Sequence, residues 1–334
     1  MIAAALWLVV SRFTEAEKLA STLAQGQWLW VLLAAAAEAG GYALLALVFQ
    51  ASFAATGVRS RWGHLVLVTL AAVVVNSVAP SGGAAGVALY ADDAARERES
   101  AAGAVAGTLV ASVADFTAFG LVLVLGLAYL FLYHDLRLYE VGAAAALLLF
   151  TGGQALLLFG GLTRPSLLAR SLTALEHLLS RASRLVRRGS PLPDGWGVRA
   201  AGELTQAARA AWTHPRRLGE AALAALAVHV VDLGSLFCLF RAFHQPVSFG
   251  VLVAGYAIGT LFLNVSPIPQ GIGVVEGTMT LVFVSLGVPT SVALVATLAF
   301  RGLGVWLPLL AGLFALRHVR TFRPEEGRRR GRRP

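Results

Sequence analysis

The chain has 334 residues, of which 57% are hydrophobic and 13% charged, and its mean hydropathy is +0.72. Soluble domains carry about a quarter charged residues, so these values exclude an ordinary soluble protein and point to a polytopic membrane protein. The net charge of +9 is almost wholly arginine, with Lys18 the single lysine; the arginines flank apolar runs, which reads as topology and not as nucleic-acid binding.

Ile2 to Val10 is apolar but short for a span, and Phe13 to Leu23 either completes it or lies in the interface as an amphipathic helix. No removable signal peptide is expected, because a charged n-region and an Ala-x-Ala site are missing. Trp28 to Phe49 is a full span. His64 to Val75 runs into Asn76-Ser-Val-Ala-Pro80-Ser-Gly-Gly83-Ala-Ala-Gly86, and the acidic and basic run from Asp92 to Glu99 reads as solvated. Gly103 to Leu132 and Leu138 to Leu162 are further spans, the first with Asp115 inside it. Arg164 to Arg217 holds ten arginines, and Pro165 to Val186 has leucines at helical spacing, an amphipathic surface helix. Leu218 to Phe243 spans with His229 and Asp232 aboard, His229 reading as a helix-packing residue. Val247 to Leu263 leads into Asn264-Val-Ser-Pro-Ile-Pro-Gln-Gly271-Ile-Gly273-Val-Val-Glu276, and Ile272 to Leu286 leads out. Ser291 to Leu316 spans with Arg301 inside, and 318–334 is a basic tail expected to be disordered.

The two Asn-Pro-Gly stretches organise this pattern. Prolines and paired glycines end regular helices, and irregular backbone at membrane depth survives only against protein or a water-filled cavity. Each therefore reads as the tip of a re-entrant helical hairpin, 64–98 and 247–286. The arginines of 164–217 and of the tail place both segments in the cytoplasm, which puts the first hairpin at the inner face and the second at the outer face. The expected fold is all-α, an inverted-topology repeat of helix–re-entrant hairpin–helix units. Its first half is 1–163, its cytoplasmic basic segment 164–217 and its second half 218–317.

Ionisable groups in spans cost about 2.5–3.5 kcal/mol each on insertion scales and need partners or water. Glu38, Asp115, Asp232, Glu276 and Arg301 are such groups. Arg301 reads either as half of an internal ion pair, with Glu276 or Asp115, or as a ligand for a lipid phosphate; the two roles are compatible. Asn76 and Asn264 are candidate headgroup ligands or caps of broken helix ends. Half-helix N-termini after Gly83 and Gly271 would aim partial positive charge at a phosphate. Cys238 is the sole cysteine, so no internal disulfide forms, and it reads as a packing residue. No metal-ligand spacing, catalytic motif or nucleotide loop is present; no enzyme activity, metal or cofactor is expected.

Pro267-Ile-Pro269-Gln-Gly271-Ile-Gly273-Val-Val-Glu276, followed by Arg301 and Trp306-Leu-Pro308, together with Asn76, Pro80, Gly82, Gly83, Gly86 and Asp115, resembles the transmembrane domain of lysylphosphatidylglycerol synthases. The resemblance implies a flippase-like fold in a plasma membrane, with a phospholipid headgroup cavity between two hairpins. The family's synthases append a soluble aminoacyl-transferase domain; here an arginine tail follows instead, so any lipid-modifying enzyme would be a separate partner. A glutamate and an arginine that many members carry after the first hairpin glycine are replaced by Val87 and Tyr90. A lipid translocator is the leading reading. An ion-coupled carrier of a small polar solute and a membrane anchor for another enzyme are the alternatives.

With Cys238 replaced by alanine and Ser190 by cysteine, a membrane-impermeant thiol reagent should label position 190 only after the cells are opened. Labelling of intact cells would reverse the orientation.

Overall fold

The computed structural model describes residues 27–78, 83–133, 142, 145, 149, 152–153, 163–185, 195–266 and 268–316. The N-terminal stub, the Pro80 turn, the body of the span expected over 138–162, the turn at Pro191 and the arginine tail lie outside the described residues. Among the described residues every regular element is helical. The helices are α1 (Trp28–Ala55), α2 (Trp62–Val78), α3 (Ala84–Arg96), α4 (Ala101–Tyr133), α5 (Pro165–Leu185), α6 (Trp196–Trp212), α7 (Pro215–Ala242), α8 (Phe249–Val265), α9 (Val274–Ser285), α10 (Thr290–Arg301) and α11 (Leu307–Leu316). A 3₁₀ turn at Pro269–Gly271 joins α8 to α9, and a π-helical segment at Gly302–Trp306 joins α10 to α11.

Among the described residues, four stretches are long and apolar enough to cross a membrane: Trp28–Ala55, Ala101–Leu132, Pro215–Ala242 and Thr290–Gly312. They show apolar side chains on their outer faces. Leu121, Val124 and Leu125 on α4 are 58–60% exposed, a pattern that suits lipid as solvent and not water. The chain forms two compact units. The first holds the described residues of Met1–Gly41, Phe119–Leu147 and Ala227–Pro308; the second holds those of Tyr42–Ala118, Leu148–Leu226 and Leu309–Pro334.

The core of the first unit gathers Leu236, Leu239 and Phe240 of α7, Val251, Leu252, Val253 and Tyr256 of α8, and Met279 and Phe283 of α9. Small residues set how closely these helices approach, since lipid offers no hydrophobic drive and van der Waals fit must serve. Gly255 and Gly259 sit one turn apart on α8. A Cβ on Gly255 would lie 2.2 Å from the Phe283 ring, and one on Gly259 would lie 3.1 Å from Met279 Sδ. The phenylalanine and methionine thus fill the space a side chain would take, and α9 folds back onto α8. On α4, Gly126 does the same: its Cβ would meet Ala257 at 2.6 Å.

In the second unit α2 and α3 form the other hairpin, with polar ties between its helices. His64 Nε2 lies 2.9 Å from Asp93 Oδ2, the Tyr90 hydroxyl donates to Thr69 Oγ1 at 3.0 Å, and Asn76 Oδ1 accepts from the Gly86 N–H at 2.8 Å. The Tyr90 ring stacks on Phe49 with centroids 4.5 Å apart. These contacts correct the reading of Asp92 to Glu99 as wholly solvated: α3 runs on to Arg96, and Asp93 is 7% exposed because His64 holds it. The helix expected over Pro165 to Val186 is α5, and the basic segment holds a second helix, α6, that the sequence reading did not name. Glu176 of α5 turns its carboxylate to the start of α6, accepting from the N–H groups of Gly195 and Gly197 at 2.9 and 2.7 Å. That satisfies donors a helix N-terminus leaves open and fixes the angle of the helix pair.

Gly255→Ala should destabilise the protein by about 1–3 kcal/mol, because the buried Phe283 ring must leave its position. Gly40→Ala on α1, where a Cβ meets nothing within 4 Å, should be neutral or slightly stabilising. Thermal unfolding of both variants in detergent checks the contrast.

Candidate functional site

The α8–α9 turn is built from residues that reject helical backbone. Ser266, which precedes a proline in the sequence, is extended and ends α8. Gln270, Gly271 and Gly273 then take φ of 56°, 59° and 86°. For Gln270, which has a Cβ, the left-handed conformation costs about 1–2 kcal/mol. The geometry aims its carbonyl at Arg301, whose Nη2 donates to it. A Cβ on Gly271 would stand 2.6 Å from Val275 Cγ2, so this glycine serves the turn and leaves no room for a side chain.

Glu276 joins the turn to α10. One carboxylate oxygen accepts from the Gly273 N–H at 2.6 Å and caps α9; the other accepts from Arg301 Nε at 3.1 Å. Of the two acids the sequence offers as partners for Arg301, Glu276 is the one it pairs with. The pair is sheltered, with side chains 9% and 14% exposed. Two of the five guanidinium N–H donors are used, and those on Nη1 meet no acceptor among the described residues. Arg301 is the last residue of α10, followed by the π segment. Pro308 has no N–H for the carbonyl four residues earlier and cannot continue a regular α-helical ladder there, which accounts for the irregular turn. Nothing in the apolar run around Arg301 announced the π turn except that proline.

A second polar group in the same unit comprises Glu38, Asp232, Tyr256 and His229. The Tyr256 hydroxyl donates to Asp232 Oδ2 at 2.8 Å, and His229 Nδ1 lies 2.7 Å from the same hydroxyl oxygen. The single hydroxyl proton is committed to Asp232, so His229 carries a proton on Nδ1 and donates it. His229, 4% exposed, also packs against Phe119, with centroids 5.6 Å apart. Glu38, 4% exposed, is a neighbour of the Asp232 carboxylate and of the Ser235 hydroxyl, and its Oε1 has no hydrogen-bond partner among the described residues. Tyr256 was hidden from sequence reasoning inside an apolar run, where an aromatic reads as core.

The two asparagines differ despite their matching sequence contexts. Asn76 ties α2 to the third residue of α3, whereas Asn264 Nδ2 donates to Thr260 O within its own helix, 3.0 Å away. Gly83, with φ of 91°, is the N-cap of α3, as expected; the half-helix α9 starts after Gly273 instead of Gly271. Asp115 lies part-buried on α4 in the other unit from Arg301. Cavities of about 780 and 650 Å³ in the second unit are lined by Arg59 and Ser60, with Arg217 and His214 in one and His64 and Asp93 in the other; neither is lined by the candidate residues. Among the described residues no group of three His, Cys, Asp or Glu side chains is placed to hold a metal ion.

The family model described as the lysylphosphatidylglycerol synthase TM region matches residues 1–312. No curated protein matches the chain.

Arg301→Ala should lower thermal stability by about 3–5 kcal/mol, because it strands the sheltered Glu276 carboxylate. Arg301→Ala combined with Glu276→Ala should recover part of that loss. A double-mutant cycle in detergent with no coupling energy would mean the pair is mere proximity.

Proposed function

Because the chain belongs to the lysylphosphatidylglycerol synthase transmembrane-region family, we propose that it is a lipid translocator, moving a phosphate-bearing lipid between leaflets. The match is to a transmembrane region, which supports a part in handling lipid within the membrane; in this reading a lipid-modifying enzyme acts as its partner. The observation that carries the reading is Arg301: a guanidinium almost wholly buried, oriented by Glu276 and Gln270, with Nη1 donors that meet no acceptor among the described residues. Guanidinium binds phosphate through parallel N–H donors, a geometry an ammonium does not offer. Glu276, with both oxygens engaged, acts by orienting Arg301.

The hairpins support the reading through their lengths. The helices α2, α3, α8 and α9 have 17, 13, 17 and 12 residues. At 1.5 Å per residue they reach about 18–26 Å, short of a hydrocarbon layer about 30 Å thick. Hairpins of this length enter and leave by the same face, which leaves a thinned path for a headgroup. In this proposal the two hairpins belong to inverted repeats, 1–163 and 218–317, in a plasma membrane with the C-terminus in the cytoplasm. Asn76, Asn264, Asp115 and the helix starts after Gly83 and Gly273 contribute to headgroup passage.

The protein in vesicles containing fluorescent phosphatidylglycerol should expose inner-leaflet label to a membrane-impermeant quencher. Arg301→Lys should fold as wild type and lower that rate about tenfold or more, the worth of a charge-assisted hydrogen bond. Wild-type rates from both Arg301→Lys and Arg301→Ala would refute the headgroup role.

A further inference from the structure

The cavity of about 780 Å³ in the second unit lies where two long helices end. Its wall is made by the last turns of α1, the loop after it and the first turns of α7. Both helices have 28 residues, about 42 Å at 1.5 Å per residue, the depth of a bilayer with its headgroup layers, about 40–45 Å. The C-terminal end of α1 and the N-terminal end of α7 therefore stand at headgroup level on one face of the membrane. The wall changes character along both helices. At the helix ends stand Arg59, Ser60, His214 and Arg217; deeper lie Leu47 and Ala51 of α1 and Ala224 of α7. Leu47 is about 10 Å below Ala54, and Ala224 is about 10 Å below Arg217.

Positive charge at the helix ends exceeds negative. Among the described residues the Arg59 guanidinium makes no ion pair or hydrogen bond; Glu99 accepts only from its backbone N–H, at 3.3 Å. Arg217 gives an Nη1 donor to Glu220 at 2.7 Å, and Glu220 also holds Arg216, 3.2 Å away. Glu220 is the single acid that lines this cavity, and it faces two arginines of its own helix. The loop that carries Arg59 is fixed in place. Gly57 turns it with φ of 82°, the Val58 N–H donates to Phe53 O at 2.8 Å, and Gln50 Nε2 donates to Ser60 O at 3.0 Å. A wall set in advance lowers the ordering cost of binding. Two guanidiniums above an apolar wall match a phosphate above acyl chains; a free phosphate would leave the deeper wall without a partner.

We propose that this cavity holds one anionic phospholipid, its phosphate at Arg59 and Arg217 and its first acyl carbons along Leu47, Ala51 and Ala224. The site does not depend on lipid translocation, and it is read out as binding. Wild-type protein is placed in phosphatidylcholine nanodiscs with trace phosphatidylglycerol that carries a diazirine on its first acyl carbons. After irradiation, peptide mass spectrometry should find more label in 47–54 and 217–224 than on α4 around Leu121, Val124 and Leu125, whose exposed face reports passing lipid. Arg59→Gln combined with Arg217→Gln should bring both segments down to the α4 level and leave α4 unchanged. Arg59 is exposed, the Arg217 side chain is half exposed and Arg216 still pairs with Glu220, so this variant should keep the wild-type unfolding temperature. A second arm keeps the wild-type protein and moves the diazirine to phosphatidylcholine, and the enrichment should disappear. The proposal is overturned if the two segments label no more than α4 in wild type, if their enrichment survives the double substitution, or if phosphatidylcholine gives equal enrichment. Inorganic phosphate that stabilises wild type but not the variant in detergent, with no enrichment of the acyl label, would assign the arginines to a free anion and overturn it as well.

Discussion

Arg301 is held by Glu276 and Gln270, 25 and 31 residues earlier in the chain, and that hold ties the end of α10 to the α8–α9 turn. Its Nε reaches the Glu276 carboxylate, its Nη2 reaches the Gln270 carbonyl, and its backbone ends α10 at the π segment. Without a cation at this position, Glu276 would be left as a sheltered charge. The left-handed Gln270 would lose the contact that offsets its backbone cost. In a medium that supplies no hydrogen bonds, each of these groups must find its partner inside the protein, so the hairpin tip, the capped start of α9 and the break after α10 form one linked arrangement.

The two hairpins solve the same problem with different chemistry. In α2–α3 the ties cross between the helices: His64 to Asp93, Thr69 to Tyr90, Asn76 to Gly86. In α8–α9 the helices meet through glycine, with Phe283 and Met279 lying where Gly255 and Gly259 have no side chain. A shared pattern of Asn, Pro and Gly therefore marks where backbone must turn. It does not mark which side chains do the binding.

Much of the architecture was legible because it rests on local rules. Apolar runs flanked by Trp28 or by arginines identify the long described helices, although α1 runs six residues past Phe49. Proline and glycine locate both tips, and Gly83 caps α3 as read. What could not be read depends on tertiary approach. Asp93 looked solvated beside Asp92 and Arg96, yet it faces His64 29 positions away. Arg301 had two acids to choose from, and only folding decides for Glu276. Tyr256 is spelled like a core residue in Gly255-Tyr-Ala-Ile, and its hydroxyl gains meaning once α7 brings Asp232 and His229 beside it. Glu176 and α6 were missed because an acid among ten arginines reads as one more surface charge.

The double use of Glu276 also bears on how the chain is made. A ribosome delivers Glu276 to the membrane 25 residues before Arg301, so the acid emerges while its base is still inside the ribosome. During that interval the Gly273 N–H, three residues away and already synthesised, is the partner at hand. The cap on α9 is thus a temporary berth for a charge awaiting its counterion. The order of synthesis favours a hairpin that closes first and is latched from behind by the helix that follows.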